Sequence, residues 1–226
     1  MADPNGLHLP RPVAVLFDLD GTLVDTVETR ISAWLEALAV ADLPATRERL
    51  APLIGVDGRR LAREIAALHG QALDAAAADR IDRDSAERYE RLNLSPHALP
   101  GVSELVDALD ELGIDWAIAT SSRKEQVATS VGALGLVHEP RIVDASHVEH
   151  AKPEPDLLLA AADQLQVEPA RCWYVGDATW DMVAAVAAGM IPIAVTAGSA
   201  VDEAALRGAG AAAIVGELQE LIPALD

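Results

Sequence analysis

Six short apolar runs recur along the chain: "PVAVLF" (12–17), "DWAIAT" (115–120), "RIVDAS" (141–146), "RCWYVG" (171–176), "IPIAV" (191–195) and "AAAIV" (211–215). Their apolar positions are continuous and do not alternate with polar ones, the pattern of strands covered on both faces in a parallel sheet. Amphipathic segments lie between them: "GVSELVDALDEL" (101–112), "PDLLLAAADQL" (155–165) and "DMVAAVAAG" (181–189). The alternation predicts a doubly wound α/β domain. Residues 25–95 break the rhythm and hold no strand-like run. Ile31, Trp34, Leu35 and Leu38 repeat at helical spacing, and further helical segments follow at 58–69 and 75–93. The pattern predicts a parallel-sheet core at 11–24 and 96–226, an all-helical insertion at 25–95 after the first strand, and a loose tail at 1–10. Pro96 and "LPG" (99–101) mark the return to the core.

Composition sharpens this picture. About half of the 226 residues are apolar and only seven are aromatic, which suits an aliphatic α/β core better than a β-sandwich. No run of 18 apolar residues occurs, and the start, "MADPNGLHLP", is polar, so the expectation is a cytoplasmic protein with neither membrane span nor secretion signal. The single Cys172 excludes an intramolecular disulfide framework and agrees with a reducing compartment. Seventeen basic residues against 36 acidic ones give a net charge of −19, which argues against nucleic acid or an anionic membrane as partner. With only two lysines, Lys124 and Lys152, an anionic substrate must be met by local cations rather than by the overall field. The oligomeric state is left open between monomer and homodimer.

In open α/β sheets, ligands bind beyond the carboxyl ends of the strands. The first strand delivers Asp18 and Asp20, the second Thr120, Ser121 and Ser122. Shortly after the third comes "HAKPEPD" with Lys152, and the fourth ends in "VGDATWD" with Asp177 and Asp181. Several carboxylates converging on one crevice repel each other unless a hard cation sits among them, and oxygen-only ligation with room for water suits Mg²⁺. A metal there makes a phosphate tolerable. One carboxylate can then attack phosphorus, with the phosphate's roughly two negative charges offset by the metal and Lys152. The second carboxylate, two residues on, can protonate the leaving oxygen and later activate water. One Asp cannot fill both roles at once.

The motif "DLDGTLVDT" (18–26) resembles the first motif of the haloacid dehalogenase superfamily, and the later motifs match in order: Thr120, Lys152 in "KPEPD", and "GDATWD" (176–181). The resemblance runs from residue 11 to the end. The helical insertion is similar to the cap of the subgroup containing phosphoglycolate phosphatases and β-phosphoglucomutases. The resemblance implies a Rossmann-like core, Asp18 as nucleophile and Asp20 as general acid and base. It further implies Thr120 on the phosphoryl oxygens, where the neighbouring hydroxyl and amide of Ser121 could also bind, and Lys152 bracing Asp18 and the phosphate. Asp177, supported by Asp181, would hold Mg²⁺ with the Asp18 side chain and the Asp20 backbone carbonyl.

Other features have plainer readings. Asp181 could serve only as helix N-terminal charge, and Asp25 reads as structural, at the junction with the helical insertion. "GAGAAA" (208–213) formally fits a dinucleotide fingerprint, but it follows a helix and precedes a strand, the reverse of the required context. Cys172 reads as buried packing. The histidines show no metal-ligand spacing, and only His150 lies near the motifs. Trp34 reads as core in preference to a substrate platform. The loop "IGVDGRR" (54–60) corresponds to one that related caps use to choose the substrate, so Arg59 and Arg60 are candidates for gripping a second substrate group; the alternative is a helix start with solvated arginines.

Within the superfamily, the presence of Asp20 favours phosphoryl chemistry over dehalogenation. The absence of lysine from residues 1–123 disfavours a Schiff-base hydrolase. β-Phosphoglucomutases carry a His shortly after the first motif, where this chain has Arg30 in "DTVETRISAW". The expectation is a Mg²⁺-dependent phosphatase acting on a small phosphorylated metabolite, of phosphoglycolate or sugar-phosphate type, through an aspartyl-phosphate. A sugar-phosphate mutase and a catalytically inactive binding or regulatory module are the alternatives.

Overall fold

A computed structural model describes residues 9–122 and 124–225. The expected tail therefore lies outside the described residues up to position 8. Six strands form one parallel sheet: β1 (Ala14–Phe17), β2 (Asp115–Ala119), β3 (Arg141–Val143), β4 (Cys172–Gly176), β5 (Ile191–Val195) and β6 (Ala213–Val215). Their spatial order is β3-β2-β1-β4-β5-β6, so the chain winds outward to one edge and then, from β4, to the other. Register pairs Leu16 with Ala117 on one side and with Tyr174 on the other.

Every residue of β1 is buried because both faces of the sheet are covered. Val15 and Phe17 point into one cluster with Trp173, Val175 and Ile193, packed by α5 (Val102–Leu112) and the C-terminal 3₁₀ turn. Ala14 and Leu16 point into the other, with Tyr174 and the small apolar faces of α7 (Asp156–Leu165) and α8 (Thr179–Ala188). The continuous apolar runs of the sequence express this two-sided burial. Two further helices, α6 (Lys124–Gly132) and α9 (Glu203–Gly208), complete the crossovers.

The segment after β1 folds as helices only: α1 (Val27–Val40), α2 (Arg47–Leu50), α3 (Gly58–Leu68) and α4 (Ala75–Leu92). They enclose a separate cluster built on Ile31, Trp34, Leu38, Leu61 and Ile65, and Leu35 packs on its edge. Asp57 and Asp74 cap α3 and α4 by accepting from the Arg60 and Ala77 amides at 3.1 and 2.7 Å. The two chain crossings between helical block and sheet lie side by side, joined by Asp25 N to His97 O (3.0 Å) and Leu99 N to Leu23 O (2.9 Å). Asp25 itself is half exposed and pairs with His97 at 3.3 Å.

One boundary differs from the sequence expectation. β3 stops at Val143, not at residue 146, because the Asp144 side chain captures the Ser146 amide at 2.8 Å and starts a 3₁₀ turn. Among the described residues no helix is long and apolar enough to cross a membrane.

Candidate active site

β1 and β4 are neighbours whose connections leave in opposite directions along the sheet, the arrangement that opens a crevice at their carboxyl ends. Asp18 follows β1 immediately, its amide held by Val175 O of β4 at 2.9 Å. Asp177 follows β4, and Asp181 sits one turn into α8. Lys152 arrives on the segment between β3 and α7 and is fully buried. Its Nζ donates to Asp18 Oδ1 (2.6 Å), Asp181 Oδ1 (2.7 Å) and Tyr174 OH (3.2 Å), which uses its three protons. Tyr174 OH in turn donates to Ala119 O at 3.1 Å, fastening the group to β2.

Two glycines make this convergence possible. Gly21 has φ +87°, a left-handed conformation, and a Cβ there would overlap the Asp177 carboxylate. A Cβ at Gly176 would overlap the side chain of Asp181, which folds back to accept the Asp177 and Ala178 amides at 3.1 and 2.9 Å. Asp181 is thus engaged through both oxygens by protein donors. Asp177 receives Thr22 Oγ1 at 3.1 Å.

Asp18, Asp177 and Asp181 each place a carboxylate oxygen within 4.8 Å of the others'. Against three buried carboxylates stands the one ammonium of Lys152. Burial, only partly offset by Lys152, pushes Asp18 up to about 7. Asp177 is raised well above the carboxylate range by burial and by the charges of Asp181 and Asp18. Burial alone would lower Lys152, but Asp18 and Asp181 outweigh it and hold the ammonium well above its usual value. This excess of negative oxygen, with no nitrogen or sulfur donor, fits a hard divalent cation.

Asp20 is in a different environment. Its Oδ1 accepts from Thr26 Oγ1 (2.7 Å) and Tyr89 OH (2.9 Å). Its Oδ2 accepts from Arg30 Nη2 (2.6 Å) and Ser122 Oγ (2.5 Å). Arg30 comes from α1 and Tyr89 from α4, and the guanidinium lies 4.0 Å above the Tyr89 ring. Burial would raise Asp20, yet the Arg30 charge and the hydrogen bonds from Ser122 and Thr26 overcome it and hold the carboxyl below its usual range.

Beside these carboxylates, Thr120 is buried and its Oγ1 accepts the Ser122 amide at 3.1 Å. The Ser121 hydroxyl is buried with no hydrogen-bond partner among the described residues. An unsatisfied buried hydroxyl costs about 1–3 kcal/mol, a penalty that an anion in the crevice would remove. A cavity of about 430 Å³ opens here, floored by Asp18, Ser121 and Lys152 and walled on the helical side by Trp34 and Arg59. That volume suits a small metabolite.

The structure therefore brings Asp18, Asp20, Thr120, Ser121, Lys152, Asp177 and Asp181 together beyond the carboxyl ends of the central strands. Of the two candidate arginines, Arg59 lines the cavity, paired with Asp57 at 2.8 Å. Arg60 does not: it lies 4.8 Å over the Trp180 ring and pairs with Glu64. His150 is exposed and pairs with Asp156 at 3.3 Å. Sequence reading missed Thr26, Tyr89 and Tyr174. A tyrosine in the apolar run "RCWYVG" was the available signal for the last.

The class of protein follows from comparison. The family model of haloacid dehalogenase-like hydrolases matches residues 15–195, and the chain belongs to that family. It is 31% identical over 215 residues to an N-acetylmuramic acid 6-phosphate phosphatase of Pseudomonas aeruginosa, covering 94% of each chain. It is likewise 31% identical over 195 residues to a β-phosphoglucomutase of Bacillus subtilis, covering 82% of this chain and 84% of that one. The solved structure of a hydrolase from Pseudomonas syringae superposes with a TM-score of 0.86 at 34% identity, over 94% of this chain and 97% of the other. Fold, family and relatives define an enzyme of the haloacid dehalogenase phosphatase type, acting on small phosphorylated substrates.

Proposed function

We propose that the chain is a Mg²⁺-dependent, cytoplasmic phosphatase that hydrolyses a small phosphomonoester through an aspartyl-phosphate on Asp18. The observation that carries this reading is the buried Lys152 ammonium bridging Asp18 and Asp181, beside Asp177 and below the unpartnered Ser121 hydroxyl. Asp18, Asp177 and the Asp20 carbonyl would hold the metal, which neutralises phosphate oxygens when bound. Asp181 supports them by fixing Lys152 and the Asp177 amide.

Substrate phosphate enters against Thr120 and Ser121, with Lys152, its protons held by Asp18, Asp181 and Tyr174, bracing it by charge. Asp18 Oδ2, the oxygen not bound by Lys152, attacks phosphorus and the bond to the ester oxygen breaks. Asp20 delivers a proton to that oxygen. Water then attacks the phosphorus of the aspartyl-phosphate, Asp20 takes its proton, and phosphate leaves with Asp18 restored. Four donors on Asp20, the charged Arg30 among them, favour its carboxylate, the form suited to the water step. Its acid step requires Arg30 and Ser122 to release it as substrate arrives. Residues 25–95 act as the cap that closes over this exchange and selects the leaving group.

The mutase relative supports a second reading. Against it stands Arg30, which occupies the position expected for a histidine and cannot give up a proton at neutral pH. A phosphate-release screen over a panel of small phosphomonoesters, run with Mg²⁺ and with EDTA, decides between them. Metal-dependent release abolished by Asp18→Asn is the expected result. Conversion of β-glucose 1-phosphate to the 6-phosphate with little free phosphate would overturn it in favour of the mutase.

A further inference from the structure

Arg60 was a candidate for substrate contact, yet it faces away from the cavity and onto Trp180. Trp180 belongs to the sheet domain, within the "GDATWD" segment that carries Asp177 and Asp181. Its ring nevertheless packs against the apolar cluster of the helical block, and its Nε1 donates to Pro52 O of that block at 2.7 Å. Two further contacts come from the same 52–60 loop. The Asp57 amide donates to Lys152 O at 3.2 Å. Gly55 lies so close to Ala178 that a Cβ there would stand 3.0 Å from the alanine Cβ. All four contacts fall on residues that flank the charged centre: Lys152 itself, Ala178 and Trp180.

From this geometry we propose that Trp180 and Arg60 form a latch that holds the helical cap closed over the active site, with Trp180 the positioning residue on the core side. The proposal rests on residues 25–95 acting as a cap over a phosphatase site. Trp180 immediately precedes Asp181, whose carboxylate holds Lys152, and the loop it grips also touches Lys152 O. Docking of the loop is thereby tied to the placement of the ammonium. A cation over an indole and one hydrogen bond at the rim of the cleft supply the directional part of the grip, and the apolar ring supplies the rest.

The test uses the full chain with and without Mg²⁺, comparing Trp180→Phe, Trp180→Ala, Arg60→Gln and Arg60→Lys. Hydrogen exchange is read at the amides of 53–60, with β1 and β4 as internal reference. Trp180→Ala should raise exchange in the loop about tenfold, the size of losing one hydrogen bond and one cation–π contact, and leave the strands unchanged. Arg60→Gln and Trp180→Phe should give smaller increases, and Arg60→Lys should restore protection. With p-nitrophenyl phosphate as probe, Trp180→Ala should raise KM several-fold with a smaller effect on kcat. Unchanged loop exchange in Trp180→Ala and Arg60→Gln would overturn the latch. So would equal exchange increases in loop and strands, which report general loosening. If wild-type protein releases no phosphate from any ester, the phosphatase reading fails, while the exchange comparison still decides whether the latch exists.

Discussion

Arg30 Nη2 lies 2.6 Å from Asp20 Oδ2, so a cation from the helical block sits on the carboxylate that follows the first strand of the sheet. The same nitrogen also lies 2.6 Å from Ser122 Oγ, joining α1, the first motif and the end of β2 at one point. Because the guanidinium remains charged, it favours the ionised form of Asp20 while this contact is kept.

Arg30→Gln should therefore destabilise the protein, and in a pH-dependent way. Asp20 titrates below its usual value in the folded chain, so its contribution is present above the unfolded carboxylate range and is lost as the pH falls through the folded value. A charged hydrogen bond of this kind contributes about 1.5–3 kcal/mol. Thermal melts at pH 7 should show that deficit, and the gap to wild type should narrow on acidification below about pH 4, the ordinary carboxylate range. A gap independent of pH would show that Arg30 acts through the Tyr89 ring and Ser122 and not through the charge of Asp20.

Lys152→Met removes the ammonium that contacts two of the three buried carboxylates, Asp18 and Asp181. Breaking a buried ion pair by deleting one partner costs about 3–5 kcal/mol. Without the ammonium, Asp18 rises further because Lys152 was the main influence lowering it. The expected outcome is a stability loss of that size and phosphate release at least a hundredfold slower, with Mg²⁺ partly restoring the melting temperature. Asp181→Asn should behave in the same direction but more mildly, since Asp18 still holds the lysine at 2.6 Å.

How far the sequence carried the reading depends on the range of the interaction. All six strands were legible, because burial on two faces writes a continuous apolar run. The motif aspartates, Thr120 and Lys152 were legible because each follows a strand and strand ends share one edge. Arg30's grip on Asp20 was not, since it exists only once α1 docks against the sheet. Arg60 was misplaced for a related reason: its position one residue after Arg59 turns it to another face of α3, toward Trp180, and only the packing of the helical block on the sheet reveals that partner. β3 ran too long because a side-chain cap at Asp144 competes with an extension that Ala145 and Ser146 would otherwise permit.

Gly21→Ala isolates the cost of bringing the first and last motifs together. The substitution forces a left-handed φ of +87° on a residue with a Cβ and drives that Cβ into Asp177 and Val27. Left-handed strain alone costs roughly 1–2 kcal/mol, and the overlap adds to it. Denaturant titration should show a loss above 2 kcal/mol, by the sum of left-handed strain and overpacking, together with weaker Mg²⁺ binding. Gly113→Ala is the control: its φ is also positive, +65°, but a Cβ there meets nothing within 4 Å, so it should lower stability without touching metal affinity.

Metal binding itself should depend on pH through Asp18. Burial holds this carboxyl at about 7 in the metal-free protein, so near neutrality it is protonated in a sizeable fraction of molecules. A metal ligand must be deprotonated, and binding therefore releases that proton. Above about pH 8, in an estimate one unit over the value for Asp18, the site is already ionised and Mg²⁺ affinity should be flat. Below 7 the proton competes, and affinity should fall by as much as tenfold per pH unit for one coupled proton, more steeply if Asp177, raised in the same way, takes up a second. Isothermal titration calorimetry of Mg²⁺ into metal-free protein at pH 6, 7 and 8, in buffers of different ionisation enthalpy, measures both the affinity and the protons released. In Asp18→Asn the first proton has no source, so the slope between pH 6 and 7 should flatten; an undiminished slope would place the competing proton elsewhere.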